Sequence, residues 1–146
     1  PCRRIRPGQA GSVGLTGGNM NGSGPWHAVV KSKSSDQLQQ LVADDAVFHS
    51  PLVHTPQAGK PLTVAYLTAA MHVLANDSFH YVREVSEGPH SILEFALELE
   101  GIAVNGVDMI TWNDEGKIID FKVMIRPYKA IETVRTRMAA MLEALK

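Results

Sequence analysis

Residues 104–119 read Val-Asn-Gly-Val-Asp-Met-Ile-Thr-Trp-Asn-Asp-Glu-Gly-Lys-Ile-Ile. Val107, Met109, Ile110 and Trp112 make an apolar strand, Asn113 to Gly116 a tight turn, and Ile118 and Ile119 open a second apolar strand. Strands joined this closely pair antiparallel. Asp108 stands within the first of them, where a buried and unpaired carboxylate is costly. It has to find a partner, reach water, or line a cavity in which its proton is of use. On the residues alone two readings stay open: a pocket acid or base, and a polar side chain satisfied by a neighbouring strand or a helix terminus.

The same alternation continues on both sides of this hairpin. Strands are expected over 79–85, 91–99, 102–112 and 117–126, with Gly88-Pro89 turning the first into the second. Leu93, Phe95, Leu97 and Leu99 share one face, and Glu94 and Glu98 the other; Ile119, Phe121, Val123 and Ile125 oppose Asp120, Lys122 and Arg126. Short connections imply an antiparallel sheet with one face on helices. Pro25 suits the first turn of a helix that carries Trp26, Val29 and Val30 on one side. Ser34 with Gln37 reads as a capping box for a second helix, closed by Asp44-Asp45. A short strand 47–50, halted by Pro51, precedes a third helix from Pro61 to about Ala75. A last helix carries Ile131, Val134, Met138, Met141 and Leu145 in a heptad-like seam. Helices followed by a strand meander define an α+β domain.

The chain of 146 residues is long enough for one domain with a real core. Seven of its glycines fall in residues 1–24, which are poor in apolar side chains and are expected to form a flexible arm, leaving 25–146 as a single domain. A net charge of −1 offers no field for nucleic acid or an anionic membrane. One cysteine excludes an internal disulfide, and no ligand spacing points to a metal. No apolar run approaches the ~20 residues of a membrane span, and a soluble cytoplasmic protein is expected.

Residues 41–51 (Leu-Val-Ala-Asp-Asp-Ala-Val-Phe-His-Ser-Pro), Gly59 before the third helix, and Gly106-Val107-Asp108 with Asp114-Glu115-Gly116-Lys117-Ile118 resemble the nuclear transport factor 2-like superfamily. Within it, the pattern is similar to SnoaL-like polyketide cyclases and ketosteroid isomerases, and to small members found in environmental mobile gene cassettes. The resemblance covers about residues 26–128. It implies a curved antiparallel sheet wrapped around the N-terminal helices as a cone-shaped α+β barrel, a C-terminal helix, a pocket for a small hydrophobic ligand, and frequent homodimers. Laid on this chain, the isomerase pattern puts its first-helix tyrosine on Trp26, its general base on Ser50 and its protonated second oxyanion residue on Asp108. Ketosteroid isomerase is a stock example of a carboxylic acid held neutral by an apolar site. A serine hydroxyl does not replace a carboxylate base, so ketosteroid isomerase activity itself is not expected.

The candidate site is therefore Asp108 as acid or base, with Tyr66 and His54 as helpers. Tyr66, on the buried third helix, is expected to aim its hydroxyl at a ligand or at Asp108, or to be a plain core tyrosine. His54 could reach back from its loop, whereas strand parity turns His49 away from Ser50. Trp26, Ser50, Leu93, Phe95, Phe121 and Ile125 are expected to line the pocket, a role that for most of them coincides with core. Neither a metal nor an organic cofactor is expected. Ala96, Val107, Met109 and Met124 make the opposite sheet face too apolar for full exposure, so either a homodimer or the final helix is expected to cover it. The expected function is acid/base chemistry on a small hydrophobic substrate, as in an isomerase, cyclase or epoxide hydrolase. The competing expectations are a non-catalytic ligand-binding module and a dimeric adaptor with a filled interior.

Overall fold

The structure, a computed structural model, describes residues 23–146. The Gly-rich stretch read as an arm lies, up to residue 22, outside the described residues. The elements are α1 (Gly24–Ser32), α2 (Ser35–Leu41), β1 (Val42–His49), β2 (Gln57–Ala58), α3 (Lys60–Leu74), β3 (His80–Glu87), β4 (His90–Leu99), β5 (Ile102–Trp112), β6 (Ile118–Arg126) and α4 (Tyr128–Ala144). One six-stranded sheet runs in the order β2-β1-β6-β5-β4-β3. The helices fill its concave face, giving a nuclear transport factor 2-like α+β fold. The sheet is not closed: β2 and β3 are free edges, so the expected barrel is an open one.

Local chemistry accounts for the elements. The Ser34 hydroxyl accepts from the Gln37 amide at 3.2 Å and starts α2. Proline lies in the first turn of both α1 and α3. The hairpin 104–119 forms as expected, with Asp108 paired to Val123 and Ile110 to Phe121.

Two expectations need correction. Asp44-Asp45 does not close α2, which ends at Leu41; the chain enters β1 at Val42. Val42, Ala43 and Ala46 are buried while both aspartates point to water at a register shift between Val42 and Val47. The irregularity hides the period-2 signal of a strand. The sheet is also not wholly antiparallel, because β1 runs parallel to β6. These strands are joined through α3 and four other strands, so no tight turn dictates their direction.

Alternation decides which side chains enter the core. On β4 Leu93, Phe95, Leu97 and Leu99 are buried, and on β5 Val104, Asp108, Ile110 and Trp112. Gly106 lies between them, opposite Phe95. A Cβ there would come within 2.7 Å of the Met124 carbonyl oxygen and would run into the Phe95 ring. The glycine therefore lets that ring lie across the strand. Helix α4 buries Ala130, Val134 and Met138 and packs on α3 and the ends of β4–β6, so it does not cover the outer sheet face. That face exposes Val85 (62%), Met124 (53%) and Ile92 (39%).

Candidate functional site

Asp108 is the one buried charged side chain among the described residues, 7% exposed on the concave face. Its neighbours across the sheet are Leu93 and Val123, both apolar. Its partner comes from the far edge of the sheet. The Tyr81 hydroxyl donates to Asp108 Oδ2 at 3.1 Å, and itself accepts from the Trp26 indole Nε1 at 2.8 Å. Indole N–H only donates, so Trp26 gives to Tyr81, and Tyr81 gives its proton to the Asp108 carboxylate. No other hydrogen bond to the Asp108 side chain occurs among the described residues. Its second oxygen is left for the cavity.

A bulge in β3 makes this contact possible. The register shifts between Tyr81, paired with Phe95, and Arg83, paired with Glu94. Tyr81 and Glu84 consequently both face α1. His27 Nε2 lies 2.7 Å from Glu84 Oε2 while the His27 ring meets the Tyr81 ring edge-on at 4.9 Å. Phe79 meets Tyr81 edge-on at 5.1 Å and stacks on Phe95, and Trp26 packs edge-on against Phe121 at 4.8 Å. Tyr81 is thus held by rings on two sides and by hydrogen bonds at its tip.

Burial pushes the Asp108 carboxyl up from 3.8 to about 7, against the Tyr81 hydrogen bond, which favours the anion. Burial first, and then the Asp108 charge, push the Tyr81 hydroxyl well above the ordinary phenol range. Near neutrality Asp108 is therefore divided between acid and carboxylate, and Tyr81 keeps its proton. One group can both take and return a proton, next to a donor that steadies its anion.

These residues face a cavity of about 50 Å³ between the helices and β6. Trp26, Ser50, Phe95, Phe121 and Ile125 line it with Tyr81 and Asp108. Leu93 is fully buried in the core and does not reach its wall. Val134 and Met138 of α4 contribute to its cover. Ligand pockets usually run to ~300 Å³ or more; this one has room for a few water molecules.

The two expected helpers lie elsewhere. Tyr66 stacks on Phe48 at 5.4 Å and does not line the cavity, and Tyr81, not Tyr66, is the tyrosine bonded to Asp108. The reason is that α3 directs Tyr66 toward β1, while β5 lies beyond it across the sheet. His54 is exposed, in a separate outer depression. His49 turns outward, as parity requires, and pairs with Asp120 at 2.8 Å. The Ser50 hydroxyl accepts from the Leu52 amide at 3.0 Å, capping the turn. Tyr81 was missed because β3 is otherwise exposed; the signal was the Phe79/Tyr81 alternation in a polar strand. No three His, Cys, Asp or Glu side chains among the described residues gather as metal ligands.

A curved, open six-stranded sheet of this topology with helices on its concave face is the nuclear transport factor 2-like α+β fold. The chain belongs to the SnoaL-like domain family, whose model matches residues 25–121. It is similar to a steroid delta-isomerase from Pseudomonas aeruginosa, with 33% identity, a TM-score of 0.77, and coverage of 82% of this chain and 88% of that one. A protein with a cystatin-like fold from Silicibacter pomeroyi DSS-3 has 29% identity and a TM-score of 0.73, over 82% and 86% of the two chains. An epoxide hydrolase/cyclase-like enzyme of pyran ring formation in polyether salinomycin shares the fold alone, with 17% identity and a TM-score of 0.56 over 69% and 84%. No curated protein matches the sequence. No helix of the described residues is long and apolar enough to cross a membrane.

Proposed function

We propose that the protein is a cofactor-independent acid/base enzyme that moves a proton on a small, mainly apolar molecule with an enolisable carbonyl. Asp108 is its proton acceptor and donor, Trp26 and Tyr81 are positioning residues, and Ser50, Phe95, Phe121 and Ile125 shape the pocket. The observation that carries this is the polarity of the Trp26–Tyr81–Asp108 chain. Tyr81 spends its one proton on Oδ2, so it stabilises the carboxylate and leaves the second oxygen for the substrate. This differs from the isomerase pattern, in which the corresponding acid donates to an oxyanion. It also answers the loss of a base at Ser50, because the base is Asp108 itself. Similarity to a steroid delta-isomerase supports proton transfer as the reaction class, and the small cavity argues for a substrate smaller than a steroid.

The test is proton exchange and double-bond migration in D2O over a panel of small cyclic enones and ketones, with wild type and Asp108→Asn. General acid/base catalysis by one group contributes ~10²–10⁴-fold, and the variant should lose about that much. Turnover unchanged in Asp108→Asn sinks the proposal.

A second reading is favoured by the cavity volume of about 50 Å³: a dimeric adaptor with a filled interior. Its interface would be the outer face carrying Val85, Ile92 and Met124. It predicts a dimer in solution that binds none of the panel and turns none over.

A further inference from the structure

The wall of the cone is incomplete at the end of β1. Pairing of β1 with β6 stops at His49 opposite Lys122, while β6 continues to Arg126 with only β5 beside it. Beyond His49 the chain turns away at Ser50-Pro51, held by the Ser50 cap on the Leu52 amide. Ser50, Pro51, Val123 and Ile125 consequently line two spaces at once: the Asp108 cavity, and an outer depression of about 600 Å³.

The two spaces have opposite chemistry. In the inner cavity the ionisable groups are Asp108 and Tyr81, both acids. In the outer depression they are His49, His54 and Lys122, all bases, with no carboxylate in its lining. Asp120, outside the lining, engages His49 through Nε2 at 2.8 Å and fixes its ring. Among the described residues Lys122 makes no ion pair and the His54 ring no hydrogen bond. A lysine at neutral pH is a cation in want of a counter-ion. A cavity of about 50 Å³ cannot enclose a whole substrate, and the space sharing its wall is this depression.

We propose that the depression is the anion-binding end of a bipartite site, and that the ligand is a small amphipathic anion, a carboxylic acid or a phosphate monoester. Its apolar reactive end enters between Ser50-Pro51 and Val123–Ile125 toward Asp108. Its anionic group stays outside against Lys122 and His54, with His49 as a fixed wall. His54 is then a binding group at the mouth and takes no part in proton transfer. The proposal rests on the reading of the Asp108 cavity as the reacting end.

Calorimetric titrations of the full chain at pH 7 with hexanoate, hexyl phosphate and hexan-1-ol test it, with Lys122→Met and His54→Ala as variants. The Trp26 indole and Asp108 amide NMR signals, both from residues that line the cavity, report entry into it. At least one anion should bind roughly three- to tenfold more tightly than the alcohol, the scale of a partly screened charged contact. Lys122→Met should remove that advantage and leave hexan-1-ol unaffected, and His54→Ala should reduce it. Preference for hexanoate or for hexyl phosphate identifies which anion is the class. Equal affinity for all three, with the Trp26 and Asp108 signals shifting, overturns the anion site and leaves the Asp108 cavity intact. Anion binding that depends on Lys122 without moving those signals overturns the bipartite site by removing its inner half. Binding of none of the three overturns the bipartite site, and exchange over the enone and ketone panel then decides the Asp108 reading separately.

Discussion

The Tyr81 hydroxyl donates to Asp108 Oδ2 at 3.1 Å while receiving the Trp26 indole proton at 2.8 Å. A phenol so placed has one proton and one direction in which to give it. It favours the carboxylate while the apolar surroundings oppose it, and the balance leaves Asp108 near 7. Each end of that balance can be perturbed separately.

Stability should depend on the Asp108 proton. Its pKa rises from 3.8 to about 7 on folding, so between these values the native state binds a proton that the unfolded chain has released. Its contribution is fully present below about pH 4, falls as pH rises, and is gone above about 7. A rise of about 3 units at 1.36 kcal/mol each amounts to about 4 kcal/mol. Urea unfolding across pH 4 to 8 should show wild type losing stability relative to Asp108→Asn by up to this amount. Parallel curves for the two proteins count against a raised Asp108 pKa.

The rate should follow the same proton with the opposite sense. If Asp108 is the base, kcat/KM for an exchanging ketone rises with pH through about 7 and levels off above it. Tyr81→Phe removes the hydrogen bond that favours the anion, so the midpoint should move upward. It also orphans the Trp26 indole N–H, at a cost of about 1–3 kcal/mol. A midpoint that stays put in Tyr81→Phe means that this hydrogen bond does not govern the titration.

Gly106 should tolerate no side chain. A methyl group there meets both the Phe95 ring and the Met124 carbonyl oxygen, and the backbone oxygen cannot swing aside. Gly106→Ala is expected to lose about 1–3 kcal/mol, the range for an overfilled core. Thermal denaturation measures it, and a melting temperature equal to wild type would show that β5 relaxes freely.

Met138 should set the size of the cavity. It is 6% exposed and covers the space from α4. Met138→Ala is expected to cost about 2–5 kcal/mol and to admit larger apolar probes. Binding of benzene and naphthalene, followed by tryptophan fluorescence, separates the outcomes. If the variant admits naphthalene no better than wild type, Met138 is not the limiting plug.

Much of the fold was legible because the hairpin 104–119 and the alternation in 91–99 and 118–126 are local signals. A buried face on one side of a strand leaves a period of two in the sequence whatever the strand pairs with. The capping Ser34 and the prolines in α1 and α3 are equally local. The reading failed at β1, where Asp44 and Asp45 sit at a bulge and look like a helix end. It left Tyr66 open between a partner of Asp108 and a plain core tyrosine, a choice that waits on the sheet order; the structure stacks it on Phe48.

The sequence by itself determined the four long strands and the main helices, and its resemblance to the family put an acid, Asp108, at the pocket. It also determined that the isomerase base is absent, because Ser50 is a matter of residue identity. Only the tertiary structure decided Asp108's partner. Tyr81 and Asp108 are brought together by a bulge in β3 and by the β5-β4-β3 order of the sheet. Those are non-local facts, fixed by the packing of Phe79, Phe95 and Trp26 around the tyrosine and by no pattern along the chain. The cavity volume is of the same kind, because it is what remains after side chains from eight elements have met.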